Sequence, residues 1–132
     1  MNNSNSLERL SSNFRNEKKY LLKNNLNSWE KLVKLTDSEI NYICTKDTLC
    51  TGSRLKKIRA IGILIIKLNI NISQAQLLLH CGVSSLKSLS ILNPHNLERK
   101  IGRLERSLNV RTQTFTNLHL IKSWINTAKN SI

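Results

Sequence analysis

The sequence predicts an all-α fold, a small helical bundle made from one unit used twice. Three observations predict it. Apolar residues recur at three- and four-residue spacing along most of the chain. An offset of 57 lays Leu21 to Leu32 onto Leu78 to Leu89, and apolar positions match for roughly 20 residues. No Val/Ile/Thr alternation is long enough for a strand pair. With 132 residues and 39% apolar content, the chain can build one modest core. Residues 1–6 read as a disordered polar tail, 7–70 as a first, degenerate copy and 71–132 as a second. The two copies are expected to form one compact domain.

Each copy reads as a helix, a tight turn, a short helix and two further helices. In the second copy Ala75, Leu78 and Leu79 form an apolar stripe ending at Gly82, the residue best suited to a left-handed helix end. Asn25 holds that place in the first copy, and asparagine is the next most tolerant residue. Ser84 is predicted to cap a helix carrying Leu86 and Leu89, and Asn27 to cap one carrying Trp29 and Leu32, with Glu30 completing a box-like pattern. Thr36-Asp37-Ser38-Glu39 is a capping box, and its counterpart Asn93-Pro94 sets a capping side chain before a proline at the first helical position. The helices that follow carry Ile40 and Ile43, and then Leu97, Ile101, Leu104 and Leu108.

A last helix closes each copy. Leu55, Ile58, Ile61, Ile65 and Leu68 face inward from one, and Leu118, Ile121, Ile125 and Ala128 from the other. Because Ala60 to Ile66 is apolar all round, the Arg54 to Leu68 helix is expected at the centre, joining the copies. Matching Leu55 with Leu118 moves the offset to 63, so the second copy carries about six extra residues, in the Thr-rich loop Asn109 to Asn117.

One turn carries a recognisable spacing. Asn69-Ile70-Asn71, with Ala75 four residues on and Gly82-Val83 seven beyond that, has the spacing of a helix-hairpin-helix unit. The predicted architecture is therefore tandem helix-hairpin-helix repeats. Such modules hold phosphate with backbone N–H groups at a helix N-terminus, and glycines let the anion approach. Here asparagine replaces both glycines; it can take the left-handed shape, but its side chain crowds the phosphate position. Asn69, Asn71 and Ser73 are candidate phosphate contacts, against a purely structural turn. Ser12-Asn13-Phe14 replaces the glycine turn in the first copy, which is expected to be structural.

Charge supplies the other candidates. With 21 Lys+Arg against 8 Asp+Glu the formal net charge is +13, which favours polyanions, although an A+T-rich genome also raises lysine content. Arg99, Arg103 and Arg106, spaced four and three, share one helix side opposite Leu97, Ile101, Leu104 and Leu108, with Lys100 flanking and Arg111 following in the loop. Guanidinium groups offer paired donors to phosphate. Glu98 and Glu105 are the only acids in 71–132 against eight Lys+Arg, so local pairing leaves +6 there. Arg54, Lys56, Lys57 and Arg59 form a second cluster at the start of the central helix, where positive charge opposes the dipole and an anion would relieve it.

Catalysis and metal binding find little support. Gly52-Ser53 lacks the Walker spacing, Cys44 and Cys50 lack a partnering Cys/His pair, and His80-Cys81 stands alone on a helix end. The three cysteines read as reduced, buried small hydrophobes, and His95 and His119 as surface residues. No carboxylate pair or Ser/His/Asp arrangement stands out. No catalytic residue, metal site, cofactor or small-molecule substrate is expected, and the chain is read as a non-enzyme. Trp29 and Trp124 lie on apolar stripes and read as core, so aromatics at 5% supply base stacking poorly.

From about Leu7 to Ala128 the chain resembles a family of small uncharacterised cyanobacterial proteins built from tandem helix-hairpin-helix units. The residues that carry the resemblance are Ala75 to Leu86, Asn93-Pro94, Leu97 to Leu104 with its Ile-Gly-Arg-Leu ending, and Trp124-Ile125. It implies the fold, a cyanobacterial origin and an expectation of nucleic-acid binding.

The leading expectation is a sequence-independent nucleic-acid-binding protein that contacts the phosphate backbone of DNA or RNA. The rival is a protein-interaction adaptor whose repeats are structural and whose basic face meets an acidic protein. The longest strongly apolar run, Ala60 to Ile66, is far short of the roughly 20 residues a bilayer span needs. With no apolar signal core at the start, a cytoplasmic location and no membrane partner are expected.

Overall fold

The computed structural model describes residues 7–107 and 117–131. The expected tail at 1–6, Leu108, Arg111 and the Thr-rich loop up to 116 lie outside the described residues. Two short 3-10 turns, Leu7–Arg9 and Ser12–Phe14, lead into eight helices. These are α1 (Arg15–Lys23), α2 (Trp29–Leu32), α3 (Asp37–Lys46), α4 (Gly52–Leu68), α5 (Ile72–His80), α6 (Leu86–Ser90), α7 (Pro94–Ser107) and α8 (Leu118–Asn130). The fold is all-α, with no strand among the described residues.

The helix ends follow from local chemistry. Asn25 and Gly82 both take positive φ, 61° and 91°, after α1 and α5. The chain then runs extended to Ser28 and Ser85, whose hydroxyls accept from the N–H groups of Lys31 and Ser88. The caps therefore fall one residue later than Asn27 and Ser84, with two residues in each copy between the left-handed position and the cap. Glu30 takes no part in that cap; the third helical position belongs to Lys31, whose Nζ donates to the Asn25 carbonyl at 3.0 Å. Thr36 and Glu39 form the expected reciprocal box, and Asn93 Oδ1 accepts from His95 and Asn96 N–H ahead of α7.

Helix α4 sits at the centre and packs against α2, α3, α5 and α8. The pairs α6 with α8 and α7 with α8 repeat α2 with α4 and α3 with α4, so corresponding helices meet in the same way. Leu55, Ile58, Ile61, Leu64, Ile65 and Leu68 are buried along α4, as are Ile121, Trp124, Ile125 and Ala128 along α8. The Ala60 to Ile66 run is not buried all round: Ile66 is exposed and Ile63 half-buried. Gly62 lets α2 approach closely, since a Cβ there would lie 3.0 Å from both Trp29 Cε3 and Val33 Cγ1. Trp29 and Trp124 are core residues. Of the cysteines only Cys50 is fully buried; Cys44 and Cys81 are half-buried because they lie at the borders of the core.

Glu17 is a buried acid that the charge pattern does not announce. It is 0% exposed, and its Oε2 accepts from the N–H of Thr51, the residue that caps α4, at 3.0 Å. This ties α1 to the start of the central helix, where a carboxylate complements the dipole. Oε1 has no hydrogen-bond partner. Burial, with the carboxylates of Asp47 and Glu17 nearby, pushes the neighbouring Cys50 thiol up to about 12.

Candidate phosphate-binding face

The turn with the motif spacing joins α4 to α5. Asn69 ends α4 in the left-handed conformation, φ 55° and ψ 49°. Asn71 caps α5: its Oδ1 accepts from Gln74 N–H at 2.8 Å while Gln74 Oε1 accepts from Asn71 N–H at 3.1 Å. Two of the N–H groups that a phosphate would need are thus held by the chain's own carboxamides. Asn69 forms the turn and Asn71 the cap, while Ser73 is exposed in the first turn of α5. Phe14, at the equivalent place before α1, makes no side-chain cap.

The central-helix cluster divides. Arg59 is committed to structure, donating from Nη1 to the Leu35 carbonyl at 2.8 Å and from Nη2 to Asp37 Oδ1 at 2.9 Å. Its guanidinium, with Lys56 nearby, holds the Asp37 carboxyl below the usual range. Arg59 thereby clamps the chain entering α3 onto α4. Arg54 lies 3.8 Å from Glu17 Oε2, which spends part of its charge. Lys56 and Lys57 are exposed.

Helix α5 folds back along α4, bringing its last turn and the following Cys81–Ser85 turn beside Lys56 and Lys57. One groove, of about 460 Å³, runs between Lys56, Lys57 and Arg59 on α4 and Leu79, Ser84 and Ser85. A second, of about 420 Å³, joins Arg54 and Lys57 to Gln76, His80, Gly82 and Ser84. A third, of about 480 Å³, runs from His80 and Cys81 to Lys100 and Arg103 on α7. Lys57, Leu79 and Ser84 line both of the first two grooves and His80 both of the last two, so the three grooves adjoin one another between the basic groups of α4 and those of α7. No aspartate or glutamate lines any of the three.

On α7, Arg99, Lys100, Arg103 and Arg106 are all exposed. Arg103 and Lys100 turn toward α5, Lys100 closely enough to act on the Cys81 thiol, which burial raises. Arg106 folds back along its own helix, with Nη1 3.5 Å from where a Cβ on Gly102 would stand. Lys100 is therefore a central member of the face and Arg99 and Arg106 are peripheral. By contrast, the Asn69 turn is fifteen residues from Arg54 along α4, about 22 Å away. It lines none of these grooves.

His80 is a residue the sequence reading set aside. Its place in the last turn of α5, one residue before Cys81 and two before Gly82, is the signal that could have marked it. Gln76 is the other: its Oε1 accepts from Ser11 N–H at 3.0 Å and pins the chain entering α1 to α5. Among the described residues no group of three or more His, Cys, Asp or Glu side chains could hold a metal ion. This face presents cationic side chains and hydroxyls around apolar groove floors that include Ala60, Ile63, Leu79, Leu86 and Leu104.

The family model for a domain of unknown function, DUF4332, matches residues 11–131. The chain belongs to that family. The match takes in α1 to α8 and every residue of the face just described. No curated protein and no solved structure matches the chain. Among the described residues no helix is long and apolar enough to cross a membrane.

Proposed function

We propose that this chain is a non-enzymatic protein that binds nucleic acid through the phosphate backbone, with little dependence on sequence. The observation that carries the reading is the chain of adjoining grooves from Lys56 and Lys57 past His80 to Lys100 and Arg103, whose linings hold cations and no carboxylate. Cations along a path suit a row of phosphates, and Phe14, the phenyl ring in these linings, is buried, which favours backbone contact over base reading. We read α1 with α2 and α5 with α6 as two degenerate helix-hairpin-helix units, of the kind the cyanobacterial resemblance implies. In this account the turn after α5, not the one before it, faces the phosphates.

A second reading follows from the Asn71–Gln74 capping box, since filling the phosphate position suits a scaffold. The basic face would then meet an acidic protein. A mobility-shift titration with a short duplex at two salt concentrations separates them. Nucleic-acid binding predicts affinity that falls steeply with salt, by roughly one unit of log slope per phosphate contact. No shift of duplex DNA or RNA at low salt rejects it.

A further inference from the structure

A second basic recess lies away from this face, between α1 and α3. It is a cleft of about 630 Å³. Asn16, Lys19, Tyr20 and Lys23 line it from α1 at three- and four-residue spacing, and Tyr42 and Lys46, four apart, line it from α3. The turn after α3 closes it with Asp47 and Leu49. Three ammonium groups meet one carboxylate there, and that carboxylate already accepts from Leu49 N–H at 3.0 Å. Lys23 and Lys46 stand in the last turns of their helices, where the dipole favours a cation.

The dipole does not account for the apolar groups beside them. Tyr42 is 59% exposed and Leu49 64% exposed, an unusual use of large side chains in a chain so poor in aromatics. Lys46 Nζ lies over one face of the Tyr42 ring, 5.4 Å from its centroid, so a cation and an exposed ring are held as one unit and the opposite face is left for a ligand. Exposed apolar side chains next to excess positive charge suit a ligand with the same two parts, a planar ring joined to a phosphate.

We propose that the α1–α3 cleft binds a nucleotide unit, with its base against Tyr42 and Leu49 and its phosphate among Lys19, Lys23 and Lys46. The unit comes from a free nucleotide or from a single strand, and the shared chemistry is base plus phosphate. The proposal does not rest on the reading of the α4–α7 face.

The test is an amide NMR titration of the full chain with adenosine monophosphate, a ten-residue oligothymidylate, inorganic phosphate and an acidic peptide. The nucleotide or the oligonucleotide should perturb the cleft residues, and Tyr42→Ala should weaken that binding by roughly tenfold. Lys23→Gln with Lys46→Gln should weaken it and lower its salt dependence, while Lys129→Glu, at an exposed position on α8 that lines neither this cleft nor the three grooves, should leave it unchanged. All of these side chains are at the surface, so circular dichroism should show the wild-type fold. Binding of the nucleotide alone identifies a small-molecule site, and binding of the oligonucleotide alone identifies a strand site. Binding of inorganic phosphate as tight as that of the nucleotide, binding indifferent to Tyr42→Ala, or binding of the peptide alone overturns the proposal.

Discussion

The two turns that bracket α5 differ in sequence and in what they leave available. The turn before it, Asn69-Ile70-Asn71, has the spacing of a phosphate-binding hairpin, yet Asn71 and Gln74 satisfy each other's N–H groups. The turn after it, Cys81 to Ser85, has no such spacing, yet lies where Lys57, His80, Lys100 and Arg103 converge. A spacing records the path of the backbone. Whether a donor is open to a ligand depends on the side chains that fill the same positions, and the charge beside it depends on how helices pack.

The largest expected effect breaks the comparison at the second turn. Reversing Lys57, Lys100 and Arg103 together to glutamate should weaken binding to a short duplex by roughly 100-fold or more at low salt and flatten the salt dependence. Fluorescence anisotropy would measure it. Loss of less than about threefold would mean that this face is not the contact. A smaller effect is expected from the backbone of that turn. Gly82 has φ 91° and nothing within 4 Å of a built Cβ, so Gly82→Ala should lose about 1–2 kcal/mol of stability to strain alone in urea unfolding. Gly82→Asn should lose less, because Asn25 takes the equivalent conformation at φ 61°. Equal losses for the two would show that the strain has another source.

The smallest effect sharpens the first turn. Asn71→Ala removes a helix cap and should cost about 1 kcal/mol of stability, while duplex affinity stays within about twofold. Affinity that falls tenfold without loss of stability would return the Asn69 turn to the binding site.

Much of the fold was legible because its signals are local. Thr36 with Glu39, Asn93 before Pro94, and Asn25 and Gly82 at helix ends each act within a few residues. The reach of the caps was legible only to one residue, since Ser84 and Ser85 are chemically alike and the path after Gly82 decides between them. The cap pattern Asn71 to Gln74 is readable in the sequence and argues against an open phosphate site. The pairings of Arg59 with the Leu35 carbonyl and of Glu17 with Thr51 N–H span 24 and 34 residues and depend on packing. No window of sequence holds both partners. The meeting of α4 and α7 cations across the end of α5 is of that kind too, so the candidate site was only half legible.

The central claim is that phosphate meets the turn after α5 and not the turn before it. Amide NMR of the wild-type chain with a short duplex at low salt tests this most directly. The account predicts that the largest shifts fall on Lys57, His80, Ser84, Lys100 and Arg103, with Asn69 to Ser73 unmoved. Shifts concentrated on Asn69 to Ser73, or none at all, would contradict it.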